Sequence, residues 1–222
     1  MRTRKLISPQ VINRLPKYLK LLESMRAQGQ ERTSSTQLAN HMGSTASQIR
    51  QDLSMFGTYG ATGYGYSTDT LIREIRNILG ISQPHHIVAI GVGSIGRALL
   101  EHMNFRKYNH HVSAAFDNDP KLIGTIINGV PVYDIAKLPA YLDSHEVDIC
   151  MLTVSASAAK SIAKELYRLG IPAIWNFTNV DLGLDESQII VQNVSFPDSL
   201  LVLTYYLEQS QPVCSVLKVQ AG

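Results

Sequence analysis

Residues 86–99 read HIVAIGVGSIGRAL: an apolar run, then Gly91-Val92-Gly93-Ser94-Ile95-Gly96, then a stretch of good helix formers. A strand that ends in G-x-G-x-x-G and passes directly into a helix is the phosphate-gripping turn of a dinucleotide-binding unit. The first glycine permits the tight turn, the second lets backbone N–H groups approach a pyrophosphate at the helix N-terminus, and the third lets the helix lie close on the strand. The next apolar run, HVSAAF at 111–116, closes on Asp117. A carboxylate there accepts both ribose hydroxyls of an adenosine and repels a 2′-phosphate, so NAD is the expected cofactor rather than NADP.

Downstream, the pattern alternates apolar strands with amphipathic helices, which predicts a parallel sheet covered on both faces. The expected elements are a helix from Ser94 to Met103, a strand in VDICMLTV (147–154), a helix in SAAKSIAKELYRLG (157–170), and strands in IPAIWNF (171–177) and QIIVQNVSF (188–196). A final helix, PDSLLVLTYYLE (197–208), is apolar on most sides, the property of a buried helix.

Upstream the chain is of another kind. Val11, Ile12, Leu15, Tyr18, Leu19, Leu22 and Met25 mark a helix ending near Gly29, and Pro16 falls either in its first turn or at a kink. SSTQLANHMG predicts a short helix with a Ser34/Gln37 capping box and a stop at Gly43. STASQIRQDLSMF follows as a second short helix, with Ser44 as its expected N-cap. Ala46, Ile49, Leu53 and Phe56 share its core face, Ser44, Ser47, Gln48, Gln51 and Met55 the opposite one, and Arg50 lies on the flank. GTYGATGYGY (57–66) has the composition of a glycine-rich hairpin whose Tyr59 and Tyr64 could reach a phosphate backbone, and an amphipathic helix from Thr68 to Gly80 completes the block. Helix-turn-helix followed by a hairpin is the winged-helix order, and it offers small polar side chains, amides and an arginine to a DNA major groove.

Charge agrees. Residues 1–80 carry 11 Lys and Arg against 5 Asp and Glu, whereas residues 81–222 carry 9 against 13. A basic module joined to a mildly acidic one suits a polyanionic partner for the first. At 222 residues and 17% charged, the chain has the composition of a folded protein. With no signal-like or membrane-spanning run, a cytoplasmic protein without a membrane partner is expected. Cys150 and Cys214 have the spacing of neither a disulfide framework nor a metal site.

These motifs together resemble the Rex family of redox-sensing transcriptional repressors. The likeness runs in family order through RLPKYLKLLE (14–23), SSTQLANHMG, QIRQDLSMFGTYGATGYGY, the glycine turn, AAFDNDP (114–120), INGVPV (127–132), LTVSASAA (152–159) and GIPAIWNF (170–177). It implies an α/β protein with a winged-helix DNA-binding domain (1–82), a Rossmann NAD(H)-binding domain (83–196), a C-terminal helix exchanged between protomers (197–211) and a tail (212–222). It also implies a homodimer that grips a palindromic double-stranded operator and is released by NADH, with NAD⁺ as competitor. The expected cofactor-binding residues are Gly91, Val92, Gly93, Ser94, Ile95, Gly96 and Asp117, with Thr153, Val154, Ser155, Asn176 and Phe177 as walls at the nicotinamide and Phe196 of the partner as a lid. Expected at the DNA are Ser44, Ser47, Gln48, Arg50, Gln51, Tyr59 and Tyr64. The sequence departs from the family's usual residues at Gln51, Lys20, Met103, Ser155 and Ser195, and the last-named would belong, with Lys20 and Met103, to an interdomain polar relay.

Other readings are a relative whose NAD(H) is structural or weakly sensed, and an NAD-dependent oxidoreductase. Hydride transfer needs a positioned acid near the nicotinamide. The sheet consumes most of the chain after Asp117, His85, His86, His110 and His111 lie at linker or strand-entry positions, and His41, His102 and His145 have no obvious carboxylate partner, so a regulator without catalytic residues is the expectation.

Overall fold

Buried Val11, Leu15, Tyr18, Leu19, Leu22 and Met25 recur at three- and four-residue intervals and form one stripe of helix α1, Pro9–Ala27. Pro16 lies inside this helix on its exposed side, where the helix continues past it. The computed structural model of the protein describes residues 7–55, 60–61, 65–185 and 187–209. The chain divides into two compact units, Met1–Pro84 and His85–Gly222.

In the first unit, α1 leads to the two-residue strand β1, Arg32–Thr33, and to α2, Ser35–Met42. The expected capping box is present: Ser34 Oγ accepts the Gln37 N–H, and the Gln37 side chain accepts the Ser34 N–H. Gly43, at φ +61°, ends the helix in the left-handed conformation. Helix α3, Ala46–Ser54, is capped by Thr45 and not by Ser44. Ser44 still belongs to the end of α2, its N–H closing on the Ala39 carbonyl, and Thr45, in extended backbone, accepts the Gln48 N–H. Strands β2, Gly60–Ala61, and β3, Gly65–Ser67, form an antiparallel hairpin, and β3 pairs on its other side with β1, a strand too short for any periodicity to reveal. Helix α4, Thr68–Ile78, follows, capped by Ser67. This is a winged helix. The expectations for Phe56, Tyr59, Tyr64, Cys214 and the tail at 212–222 fall outside the described residues.

The second unit is built on a seven-stranded sheet of β4 His85–Ile90, β5 His110–Asp117, β6 Ile126–Ile127, β7 Val130–Asp134, β8 Ile149–Leu152, β9 Ala173–Asn176 and β10 Ile190–Asn193. Its order is β10-β9-β8-β4-β5-β7-β6, and every pair is parallel except β6 with β7. With β6 set aside, the order is that of the Rossmann sheet, reversing direction between β4 and β8. Successive residues face opposite sides: Val88, Ile90, Cys150 and Leu152 pack with Ala159, Ala163 and Leu166 of α7, Ala156–Arg168, whereas Ile87, Ala89 and Met151 pack with Leu100 of α5, Ser94–His102. Helix α6, Leu138–Ser144, precedes β8. Helix α8, Phe196–Gln209, closes the unit with none of its residues buried.

Candidate functional site

Gly91 follows the end of β4 and Thr153 the end of β8, on either side of the point where strand order reverses, which is where doubly wound sheets bind their ligands. A cleft of about 310 Å³ opens there, lined by Gly91, Gly93, Asp117, Thr153, Val154 and Ser155. The three glycines of the turn do different work. Gly91 stands at φ +89°, and a Cβ there would lie 2.9 Å from Val154 and 3.0 Å from the Thr153 backbone. A Cβ on Gly96 would drive into the Gly91 carbonyl and the Thr153 hydroxyl. Both glycines are required by the fold itself. A Cβ on Gly93 would meet nothing within 4 Å, so the fold places no demand on that position. In turns of this kind the second glycine is the one that admits a pyrophosphate, and the space above Gly93 is open. Gly93 is also the N-cap of α5, which has no side-chain cap, so its leading N–H groups remain for an anion. The residues present therefore fit a dinucleotide.

Asp117 is held firmly. Its Oδ2 accepts the Val92 N–H at 2.6 Å and its Oδ1 the Asp119 N–H at 2.9 Å. The carboxylate thus stiffens the glycine turn and its own turn, and each oxygen keeps a lone pair for a ribose hydroxyl. Val92 is buried beneath the turn, while Ser94 and Ile95 are exposed on the first turn of α5. The Thr153 hydroxyl donates to the Gly91 carbonyl at 2.6 Å, so Thr153 staples the two loops together rather than presenting its hydroxyl to the cleft.

The expected nicotinamide wall is only partly assembled. Val154 and Ser155 line the cleft. Asn176 is 1% exposed and commits its side chain to Val180, Asn193 and Thr178, and Phe177 packs in the core against Trp175. Neither is among the residues that line the cleft. Phe196 is exposed at the start of α8. Asn118 and Ile135 line the cleft and were not singled out from the sequence; Ile135 sits on the short turn after β7, a strand whose Pro131 breaks the usual strand pattern. Of the three relay positions, Lys20 is exposed, Met103 lies at the far end of α5 away from the glycine turn, and the Ser195 hydroxyl accepts the Asp198 N–H at the start of α8.

In the first unit, α3 presents Ser47, Arg50 and Gln51 to solvent, with Ser44 exposed just before it, and the Arg50 guanidinium reaches Ser35 at 3.2 Å. Gln48, half-buried, donates to Asp52 at 2.8 Å and so supports that carboxylate. Asp52, fully buried, is the residue that sequence reasoning missed. Arg14 of α1 grips it with two hydrogen bonds of 2.7 Å, and Tyr18 donates to it at 2.8 Å. Burial pushes the Asp52 carboxyl up, but hydrogen bonds from Arg14, Tyr18 and Gln48 outweigh that and hold it below the usual carboxylate range. The same contact raises Arg14, while burial and then Asp52 raise Tyr18. A polar residue one step from Leu53 on a helix this short was the available signal.

Among the described residues no group of three or more His, Cys, Asp or Glu is placed to hold a metal ion, and no helix is long and apolar enough to cross a membrane.

Two family models match the chain, one described as "Putative DNA-binding protein N-terminus" over residues 6–54 and one as "CoA binding domain" over residues 82–180. The chain is 42% identical over 211 residues to a redox-sensing transcriptional repressor Rex of Clostridium botulinum, covering 95% of this chain and all of the relative. It is 40% identical to the same-named protein of Clostridium novyi, covering 93% and 98%. Among solved structures, it superposes on RSP in complex with β-NAD⁺ and operator DNA with a TM-score of 0.86 at 37% identity, covering 92% of this chain and 94% of that one. For RSP with β-NADH the TM-score is 0.84 at 35% identity, covering 92% and 95%.

Proposed function

The chain belongs to the Rex family of redox-sensing transcriptional repressors, and from that premise we propose how its two units divide the work. The protein binds operator DNA through the winged helix and NAD(H) through the Rossmann unit, and NADH releases the DNA. Gly93 carries this reading: an unhindered glycine at the mouth of the cleft, which the fold could replace and a dinucleotide could not. In the cleft, the α5 N-terminus takes the pyrophosphate and Asp117 the adenosine ribose. Val154 and Ser155 stand at the nicotinamide end, where NADH and NAD⁺ differ in charge and planarity. On α3, Arg50 holds phosphate, and Gln51 and Ser47 face base edges.

The protein works as a homodimer. Helix α8 leaves Leu200, Leu201, Leu203, Tyr205, Tyr206 and Leu207 each more than 60% exposed, and a contiguous apolar helix of this kind marks a partner surface. A second copy, giving and receiving the helix, covers it. The role is regulatory: the ligand acts by binding one arrangement of the dimer better than the other. Moving the population from 1:99 to 99:1 requires a differential affinity of about 5.5 kcal/mol.

Fluorescence anisotropy of labelled palindromic operator at fixed salt tests this reading. NADH is expected to release the operator at far lower concentration than NAD⁺; equal effects of the two forms would overturn it.

A further inference from the structure

A second cleft, of about 500 Å³, lies in the Rossmann unit at the N-terminal end of β5, the opposite end of the strand from Asp117. It is bounded by the last turn of α5, the short helical turn Phe105–Tyr108 and the Asn128-Gly129 connection between β6 and β7. Its lining is rich in cations and potential cations: Arg106, His102, His110 and His111. Glu101 is the one carboxylate of the lining, and it is already engaged by Arg97 at 3.5 Å and lies 3.9 Å from His102. His110 shares the sheet face of Val112, two residues on, which packs against the α5 side of the sheet, so its imidazole points to the cleft side. It stacks on His85 of β4, with ring centroids 5.7 Å apart, and the neighbouring His86 and His111 repeat the pairing at 6.1 Å. Four histidines on two neighbouring strands thus form a rung at this end of the sheet. Positive charge gathered in a cleft is stabilised by an oxyanion.

We propose that this cleft is a binding site for a small oxyanion-bearing metabolite, a carboxylate or a phosphate, held by Arg106, His102 and His110. The site is separate from the nucleotide cleft and does not depend on the reading of that cleft. Binding there takes up a proton. Burial first, then His85 and His111, hold the His110 imidazole below its ordinary value, so it is neutral near pH 7 in the absence of an anion. The other charged or titratable groups near this rung are Asp148, whose Oδ2 lies 3.8 Å from His85 Nδ1 and accepts the His86 N–H, Glu101 and His102 at the end of α5, and Arg106. An anion among Arg106, His102 and His110 favours the imidazolium, and affinity therefore rises as pH falls.

Isothermal titration of the full-length protein with inorganic phosphate and, separately, with succinate, at pH 6 and pH 8, tests the proposal and distinguishes the two ligand classes. Saturable binding of at least one of them is expected at one site per chain, roughly tenfold tighter at pH 6 than at pH 8. Arg106→Gln, on an exposed side chain, should abolish it, and His110→Gln should reduce the pH dependence of succinate binding; both variants should keep NADH affinity. Absence of saturable heat for both ligands, binding unchanged in Arg106→Gln, or competition by NADH would each overturn the proposal.

Discussion

Two glycines of one turn are distinguished by what a methyl group would meet. Gly96→Val should unfold the turn, because its side chain enters the Gly91 carbonyl and Thr153 hydroxyl. Gly93→Val should melt within a degree or two of the wild type and lose NADH binding, read by calorimetry; a variant that still binds NADH would remove Gly93 from the site. The sequence motif marked both positions equally, since spacing cannot say which glycine serves the chain and which serves a ligand. Asp52 makes the complementary point. Its burial depends on Arg14 and Tyr18, which lie 38 and 34 residues away in the chain, and no local pattern announces such a partnership. Asp52→Ala should destabilise the winged unit by about 3 kcal/mol, because it strips a buried network of its acceptor, whereas Tyr18→Phe should cost about 1 kcal/mol. The sign of the pH dependence follows from the depressed carboxyl: its contribution is complete above the ordinary value of 3.8 and is lost as pH falls through the lower folded-state value. Acid titration of the wild type and Asp52→Asn, followed by circular dichroism, should show the wild type losing its advantage only in that acidic window.

At the scale of elements, the sequence was legible where periodicity was long. Helices α1, α2, α4, α5 and α7 and strands β4, β5, β8 and β9 lie within a few residues of their expected places. The three missed strands have physical reasons: β1 is two residues long, β6 likewise, and β7 carries Pro131 next to the Asn128-Gly129 turn. On the face of α3 opposite its core, Ser47 and Gln51 are exposed as expected, as is Arg50 on the flank, whereas Gln48 is half-buried because it reaches a carboxylate one helical turn away. Helix α3 is therefore held against α1 by Arg14, Tyr18 and Asp52 and free on its outer face. Arg50→Ala should weaken operator binding and lower the slope of log affinity against log salt by about 1 per half-site, with NADH affinity unchanged. An unaltered slope would mean that Arg50 does not touch phosphate. For α8, removal of residues 196–222 should convert the protein to a monomer in sedimentation velocity; a truncated chain that stayed dimeric would place the interface elsewhere.

Across the whole molecule, the charge imbalance between residues 1–80 and 81–222 and the change from helix-turn-helix to alternating strands make two modules visible in the sequence. The free energy that links them was not visible, because it belongs to two chains and two arrangements rather than to any segment. Thermodynamic linkage makes it measurable. If NADH weakens operator binding by a given factor, operator must weaken NADH binding by the same factor. The decisive measurement is NADH affinity of the wild-type protein by calorimetry, free and saturated with palindromic operator. The account predicts a loss of affinity on operator that equals, within error, the factor by which NADH lowers operator affinity. An NADH affinity indifferent to operator would contradict it.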